Sequence, residues 1–415
     1  MTSIRLNTMI MAAAMLLFSC DNFAQNKQQA GDSTTIKQTT VKRVTNPILP
    51  AADRTELYLD YLKGRKVGML INQTSVIGPN KVPVVDSLLK LGVKVKKIFG
   101  PEHGFRGNAS NGATIGNTTD PVTGLPAISL YGKHFKPTPE DLKGIDLMIF
   151  DVQDVGTRFY TYISTLHYVM EACAENNIEL LILDRPNPNG IYVDGPVLDT
   201  AFRSFVGMHP IPVTHGMTIG EYAQMINGEG WLKNKVQCKL KIVKVGNYSR
   251  DMAYELPVNP SPNLNTQQSI LLYPHICFFE GTKLSLGRGT LFPFQVIGSP
   301  LLKGRYEFNF KPVSIPGMSE NPPLKDTVCY GLDLKNYNMQ TIRSSGKLNL
   351  AWLIDLYKVY PDKAHFFNAY FKKLAGTDEL RKQIIAGKTE AEIRQSWEPA
   401  LTKFKAIRGK YLLYN

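Results

Sequence analysis

From Lys66 onward the chain repeats one pattern: an apolar run rich in β-branched residues, a polar or glycine-rich cluster, then a stretch of helical period. KVGMLINQTS, KVKKIFGPEHG, IDLMIFDVQDVG, IELLILDRPNPNG and HPIPVTHGMT all follow it. The runs are apolar on successive residues rather than alternating. That predicts strands buried on both faces, as in a parallel sheet. Between them VPVVDSLLKLG puts Val84, Leu88 and Leu91 at helical spacing. TRFYTYISTLHYVMEACAENN gathers Phe159, Tyr162, Ile163, Leu166, Val169, Met170 and Cys173 on one apolar face. Strands alternating with helices predict a doubly wound α/β domain.

The polar clusters all fall at the carboxyl ends of these strands: Asn72 to Thr74, Glu102 with His103, Asp151 with Gln153 and Asp154, Asp184 with Arg185, and Thr214 with His215. In open α/β sheets that edge is where ligands bind. A composition shift follows. Glu255 to Pro300 is rich in Pro, Asn and Gly and reads as an ordered crossing into a second unit. Beyond it come short strand candidates (GRYEFNFKPVSI, VCYGLDL) and helical stretches (LNLAWLIDLYKVYP, DELRKQIIAGKTEAEIRQSW, EPALTKFKAIRGKYLLY). The expected domains are 53–270 and 271–415, consistent with a length of 415 residues, too long for one ordinary core.

The N-terminus departs from the pattern. Arg5, the apolar MIMAAAMLLF and then Ser19-Cys20 read as a secretory signal over residues 1–20. LFSC is like a bacterial lipobox, with Cys20 the lipidated residue of an exported lipoprotein held on the periplasmic side of a membrane. Residues 21–52, polar and nearly free of aromatics, read as a disordered tether. Cys173, Cys238, Cys277 and Cys329 are widely spaced without CxxC, which argues against a zinc site and for buried apolar thiols, one disulfide remaining open. A formal charge of +13 suits an anionic surface or ligand, but basic runs with interleaved aromatics are missing, so nucleic acid is not an expected partner. With no GxSxG, GxGxxG, Walker A or HExxH spacing, neither a cofactor nor a metal is expected.

Candidate chemistry concentrates in four loops. Glu102 sits on a Pro-Glu-His-Gly turn, where shielding by apolar neighbours suits a general acid, although an acid there also serves as a helix cap. His103 is placed to orient that acid or contact ligand, and Arg106 to clamp a carboxylate or make a surface ion pair. Asp151 ends the next strand as catalytic group or cap. Asp184 and Arg185 precede a turn rich in Pro and Asn that binds a sugar or its own backbone. Glu280 lies between apolar residues and glycine, and Arg288 between two glycines. Two acids from different loops facing one cleft are what glycoside hydrolysis requires.

INQTSV, FGPEHGFRG, DPVTGLPAISLYG, FDVQDVGTRFYTYISTL, LDRPNPNG, PSPNLNT, YPHICFFEGTKLSLGRGT, NPPLKDTVCYGL and KLAGTDELRKQI resemble the NamZ-type exo-β-N-acetylmuramidases, over essentially all of residues 53–415. The resemblance implies a Rossmann-like domain, a smaller α/β domain and a cleft between them. It implies release of terminal β-linked N-acetylmuramic acid from the non-reducing end of peptidoglycan fragments. Glu102 of the PEHG motif carries over as catalytic, with Asp151 or Glu280 as second carboxylate, or the substrate's acetamido group as internal nucleophile. Asn72, His103, Arg106, Arg158, Asp184 and Arg288 are the expected substrate contacts. A non-catalytic lipoprotein binding wall sugars and a wall-peptide esterase or amidase are the competing readings.

Overall fold

The computed structural model describes residues 46–102, 104–106 and 117–415. The predicted signal, Cys20, most of the tether and His103 therefore lie outside the described residues. Among the described residues the main sheet has seven strands: β1 Lys66–Ile71, β2 Lys94–Gly100, β3 Thr118–Thr119, β4 Pro126–Ser129, β5 Leu147–Asp151, β6 Glu179–Leu183 and β7 Leu240–Val243, in the order β3-β4-β2-β1-β5-β6-β7. The pairs are parallel except β3 with β4. Leaving aside β3, the strands run third, second, first, fourth, fifth, sixth, the doubly wound Rossmann order, whose direction reverses between β1 and β5.

Burial follows the strand period. Along β5, Leu147 and Ile149 join a cluster with Met69, Val84, Leu88 and Leu181, while Met148 and Phe150 join another with Phe99, Leu166, Leu180 and Ile182. Each fully buried side chain of this size contributes roughly 1.5–3 kcal/mol of transfer free energy, so a sheet covered on both sides dominates the core. The first cluster lies under α1 (Val84–Lys90) and the second under α2 (Tyr162–Glu175). Leu91, expected on the apolar face of α1, is instead 51% exposed, because the helix ends at Lys90 and the chain turns at Gly92 with φ +81°.

One predicted strand is absent. HPIPVTHGMT makes isolated bridges from Thr214 to Thr157 and Asp194 rather than a ladder, since Pro210 and Pro212 each remove a donor. The outer parallel position is taken by β7, from KLKIVKVG, in which Leu240 to Ile242 are half-buried and Val243 alone is buried. After α3 (Ile219–Gly228) and α4 (Gln267–Ile276) comes a small antiparallel sheet of β8 (Val296–Ser299), β9 (Asn309–Phe310) and β10 (Cys329–Asp333), ordered β8-β10-β9. Helices α5 (Ala351–Val359), α6 (Phe371–Ala375), α7 (Glu379–Ile385) and α8 (Glu390–Arg408) complete the chain. The last helical break falls at Gly387, φ +73°, not at Pro399, which lies inside α8.

Asn46–Asn415 forms one compact unit, stitched by long-range polar contacts. The Tyr414 hydroxyl donates to Asp184 Oδ2 at 2.6 Å, and Arg158 reaches the Leu374 and Ala375 carbonyls of α6. Cys173, Cys238, Cys277 and Cys329 are buried and free.

Candidate active site

Strand β2 delivers Glu102. A Cβ on Gly100 would lie 2.8 Å from the Phe105 nitrogen, and Gly104 holds φ +70° while its N–H donates to the Pro101 carbonyl at 2.9 Å. Only glycine tolerates both positions, so the chain folds back and leaves Glu102 half-buried at the strand end. The Thr161 hydroxyl, just before α2, then holds its carboxylate by donating to Oε2 at 2.9 Å. Tyr131, just past β4, lies near enough that burial, followed by the Glu102 charge, pushes its phenol up.

Glu102 opens on a cavity of about 50 Å³, room for a ring substituent rather than a whole pyranose. Thr161, Tyr160 and Tyr162 line one side, Ser261 and Asn263 another, and Arg288, Tyr273 and Phe294 a third. The Tyr160 and Tyr162 hydroxyls both donate to the Pro260 carbonyl, at 2.9 and 3.2 Å, fixing the loop that carries Ser261 and Asn263. Arg288 spends Nε and Nη2 on a single Glu280 oxygen, Oε1, at 3.0 and 2.6 Å. Its Nη1, like Asn263 Oδ1, is buried with no hydrogen-bond partner. Buried polar atoms are nearly always paired, and each one left unpaired costs about 1–3 kcal/mol. Two such atoms on residues that line one cavity mark a place for a polar ligand. Tyr370 senses both acids: burial first, then Glu280 and more weakly Glu102, push its phenol up, against Arg288.

Other predicted residues among those described do not line this cavity. Asp151 is fully buried and bidentate on Arg185, Oδ1 to Nε at 2.5 Å and Oδ2 to Nη2 at 3.0 Å. Burial pushes its carboxyl up and Arg185 opposes that push. Asp184 accepts from Tyr414, Thr218 and the Gly220 N–H, and burial raises it to about 6 against those bonds. Arg158 is a strut: Nη1 donates to the Pro196 and Ile211 carbonyls, Nη2 to those of Leu374 and Ala375. Arg106 pairs with buried Asp120 at 2.8 Å. Asn72 acts at one remove, its Nδ2 donating to the Tyr162 hydroxyl at 2.8 Å. The crevice between β1 and β5 is closed by the chain itself, with Ser75 Oγ on the Asp151 carbonyl and the Gln153 N–H on Thr74 Oγ1.

The structure thus brings Glu102 and Arg288 to one cavity, with Glu280 bonded to Arg288, and adds Thr161, Tyr160, Tyr162 and Asn263 to its lining, none of which sequence reasoning singled out as ligand-facing. Tyr162 reads in the sequence as part of the helix's apolar face, and Tyr160 only as a neighbour in the same stretch. The one available signal was polar residues inside the quoted blocks, such as the asparagine of PSPNLNT.

Comparison with known proteins places this geometry. Residues 67–268 match the model of the N-terminal domain of the exo-β-N-acetylmuramidase NamZ, and residues 271–414 that of its C-terminal domain. The chain is 40% identical over 372 residues to the peptidoglycan β-N-acetylmuramidase NamZ of Bacillus subtilis, covering 86% of this chain and 89% of that protein. Two crystal structures of DUF1343 family proteins from Bacteroides fragilis superpose with TM-scores of 0.83 and 0.75, at 44% and 29% identity, each covering 89% of this chain and 99% of the other.

Proposed function

The chain belongs to the NamZ exo-β-N-acetylmuramidase family, and on that premise we propose that it hydrolyses terminal β-linked N-acetylmuramic acid from the non-reducing end of peptidoglycan fragments. One observation carries the proposal: a carboxyl held by Thr161 opens on the same small cavity that is lined by Arg288, a guanidinium with an unpartnered N–H group. Glu102 protonates the glycosidic oxygen, and Arg288 recognises the lactyl carboxylate that distinguishes muramic acid from other amino sugars.

Among the described residues Glu102 is the single carboxylate on that wall. With Asp151 locked on Arg185 and Glu280 tied to Arg288, the substrate's acetamido oxygen is the internal nucleophile this arrangement favours. The cavity is sized for such a substituent, and substrate assistance is a recognised exception to the two-carboxylate scheme. A thiazoline analogue of N-acetylmuramic acid then inhibits in the micromolar range or better, and retention is seen by NMR. Inversion sinks that mechanism.

The export reading rests on the sequence: the basic and apolar start, LFSC, and the polar tether. In that reading Cys20 carries the lipid, the membrane is the second partner, and the enzyme meets muramyl saccharides on the periplasmic side. Alkyne-palmitate labelling that persists in Cys20→Ala contradicts it. For the activity itself, defined muropeptides are incubated with the protein and the products read by mass. Release of free N-acetylmuramic acid by wild type and none by Glu102→Gln is the expected result. Undiminished release by the variant overturns the assignment.

A further inference from the structure

On the far side of Arg288 lies a second cavity of about 660 Å³, walled by Glu280, Lys283, Ser319, Asn321 and Tyr370. Arg288 is the partition, since it lines both spaces. Its guanidinium already gives two nitrogens to Glu280, so Nη1 is the one guanidinium nitrogen left without a partner. Resting on the hydrolase reading above, we infer that the second cavity is a subsite for the peptide carried on the lactyl group of the muramic residue.

The argument is one of connectivity. If the lactyl carbonyl sits at the junction on Arg288, whatever is attached to it leaves the sugar in the direction away from the glycosidic bond. The second cavity is the space found there. Its volume falls in the ~300–1,000 Å³ range of sites that enclose drug-sized ligands, ample for two or three residues. Its chemistry also fits. Ser319 and Asn321 offer a hydroxyl and an amide for peptide groups, while Lys283 brings an exposed ammonium to a wall that also carries Glu280 and Glu320. Glu280 keeps Arg288 in place between the two spaces, which gives that acid a positioning role.

The test uses three substrates: a 4-nitrophenyl β-glycoside of N-acetylmuramic acid, the same glycoside bearing L-alanyl-D-glutamate on the lactyl group, and an unsubstituted muramyl disaccharide with an N-acetylglucosamine leaving group. Wild type is expected to cleave all three. Lys283→Glu and Asn321→Trp, which reverse the charge and fill the space, each lower kcat/KM for the dipeptide glycoside by about tenfold, the scale of one lost charge-assisted contact. Both leave the unsubstituted glycoside within about twofold. The subsite is overturned if wild type refuses the dipeptide glycoside, if the variants lower both glycosides alike, or if their effect follows the leaving-group sugar instead. Failure of wild type on all three overturns the hydrolase reading, a different result from refusal of the peptide-bearing substrate alone.

Discussion

Glu102 and Asp151 follow parallel strands of one sheet, at the same carboxyl edge, two positions apart in strand order. At Asp151 itself the chain answers its own needs: both carboxylate oxygens meet Arg185, the neighbouring Asp184 is saturated by Tyr414, Thr218 and Gly220, and Arg158 finds four carbonyls, although Arg158 Nε, Gln153 Oε1 and Asp154 Oδ1 keep no partner. Around Glu102 it does not. Arg288 and Asn263 keep buried atoms without partners beside a carboxyl that is only half-buried. Position at the sheet edge is therefore not what separates function from architecture. For the two carboxylates the accounting of hydrogen bonds, together with access to a cavity, is what does, because an acid already paired in the dry interior has nothing left to offer a substrate.

The sharpest way to break this contrast is to neutralise each acid in turn. Glu102→Gln is expected to lower kcat/KM by about 10³-fold, within the 10²–10⁴ range of general acid catalysis, and to leave the urea midpoint near wild type. Asp151→Asn is expected to do the reverse. It strands a buried guanidinium and costs roughly 3 kcal/mol or more of stability, while kcat/KM of the folded protein stays within a few-fold. If Asp151→Asn instead abolishes turnover in a protein of unchanged stability, the two regions have been assigned the wrong way round.

A smaller effect separates the two in pH. Burial, against the pull of Glu171, lowers His167 to about 4, and its Nδ1 lies 3.0 Å from His209 Nε2. In the unfolded chain the imidazole takes its proton near pH 6.5, so between about 4 and 6.5 the unfolded state binds more protons. Its contribution is fully present above pH 6.5 and is lost as pH falls toward 4. Asp184, raised to about 6, runs the other way and stabilises less as pH rises from about 4 to 6. His167→Gln removes only the first slope, so the wild-type-minus-variant difference in unfolding free energy should shrink by on the order of 2 kcal/mol between pH 7 and pH 4.5. The pH profile of kcat/KM should not move. A shifted activity profile would tie this buried histidine to the site.

The sheet was readable because β1, β2, β5 and β6 are apolar on both faces, a pattern that little else produces. It failed for HPIPVTHG, where apolar residues mimic a strand but Pro210 and Pro212 cannot join a ladder, and for β7, whose edge position leaves KLKIV half-polar. At the site, Glu102 was legible through the glycines that its turn requires. Asp151, Asp184 and Arg158 shared its placement, and nothing local distinguishes a strand-end carboxylate that meets Arg185 from one that meets water. Thr161 comes from 59 residues further along than the acid it holds. A partner at that distance is a product of the fold, not of any motif.

The smallest effect tests how the cavity is kept in shape. Tyr160 and Tyr162 donate to the same Pro260 carbonyl, and Asn72 in turn donates to Tyr162. Either hydroxyl alone can satisfy that carbonyl, so Tyr160→Phe and Tyr162→Phe should each cost less than about 1 kcal/mol in transition-state stabilisation, the worth of one neutral hydrogen bond. Removing both leaves the Pro260 carbonyl with only Gln73 Nε2, 3.0 Å away, and loosens the loop that presents Ser261 and Asn263. The double variant should lose more than the two singles combined, a coupling of about 0.5 kcal/mol or more in a double-mutant cycle on kcat/KM. Strict additivity would mean that the two tyrosines act on the ligand separately, and that the Pro260 loop is positioned by something other than this shared acceptor.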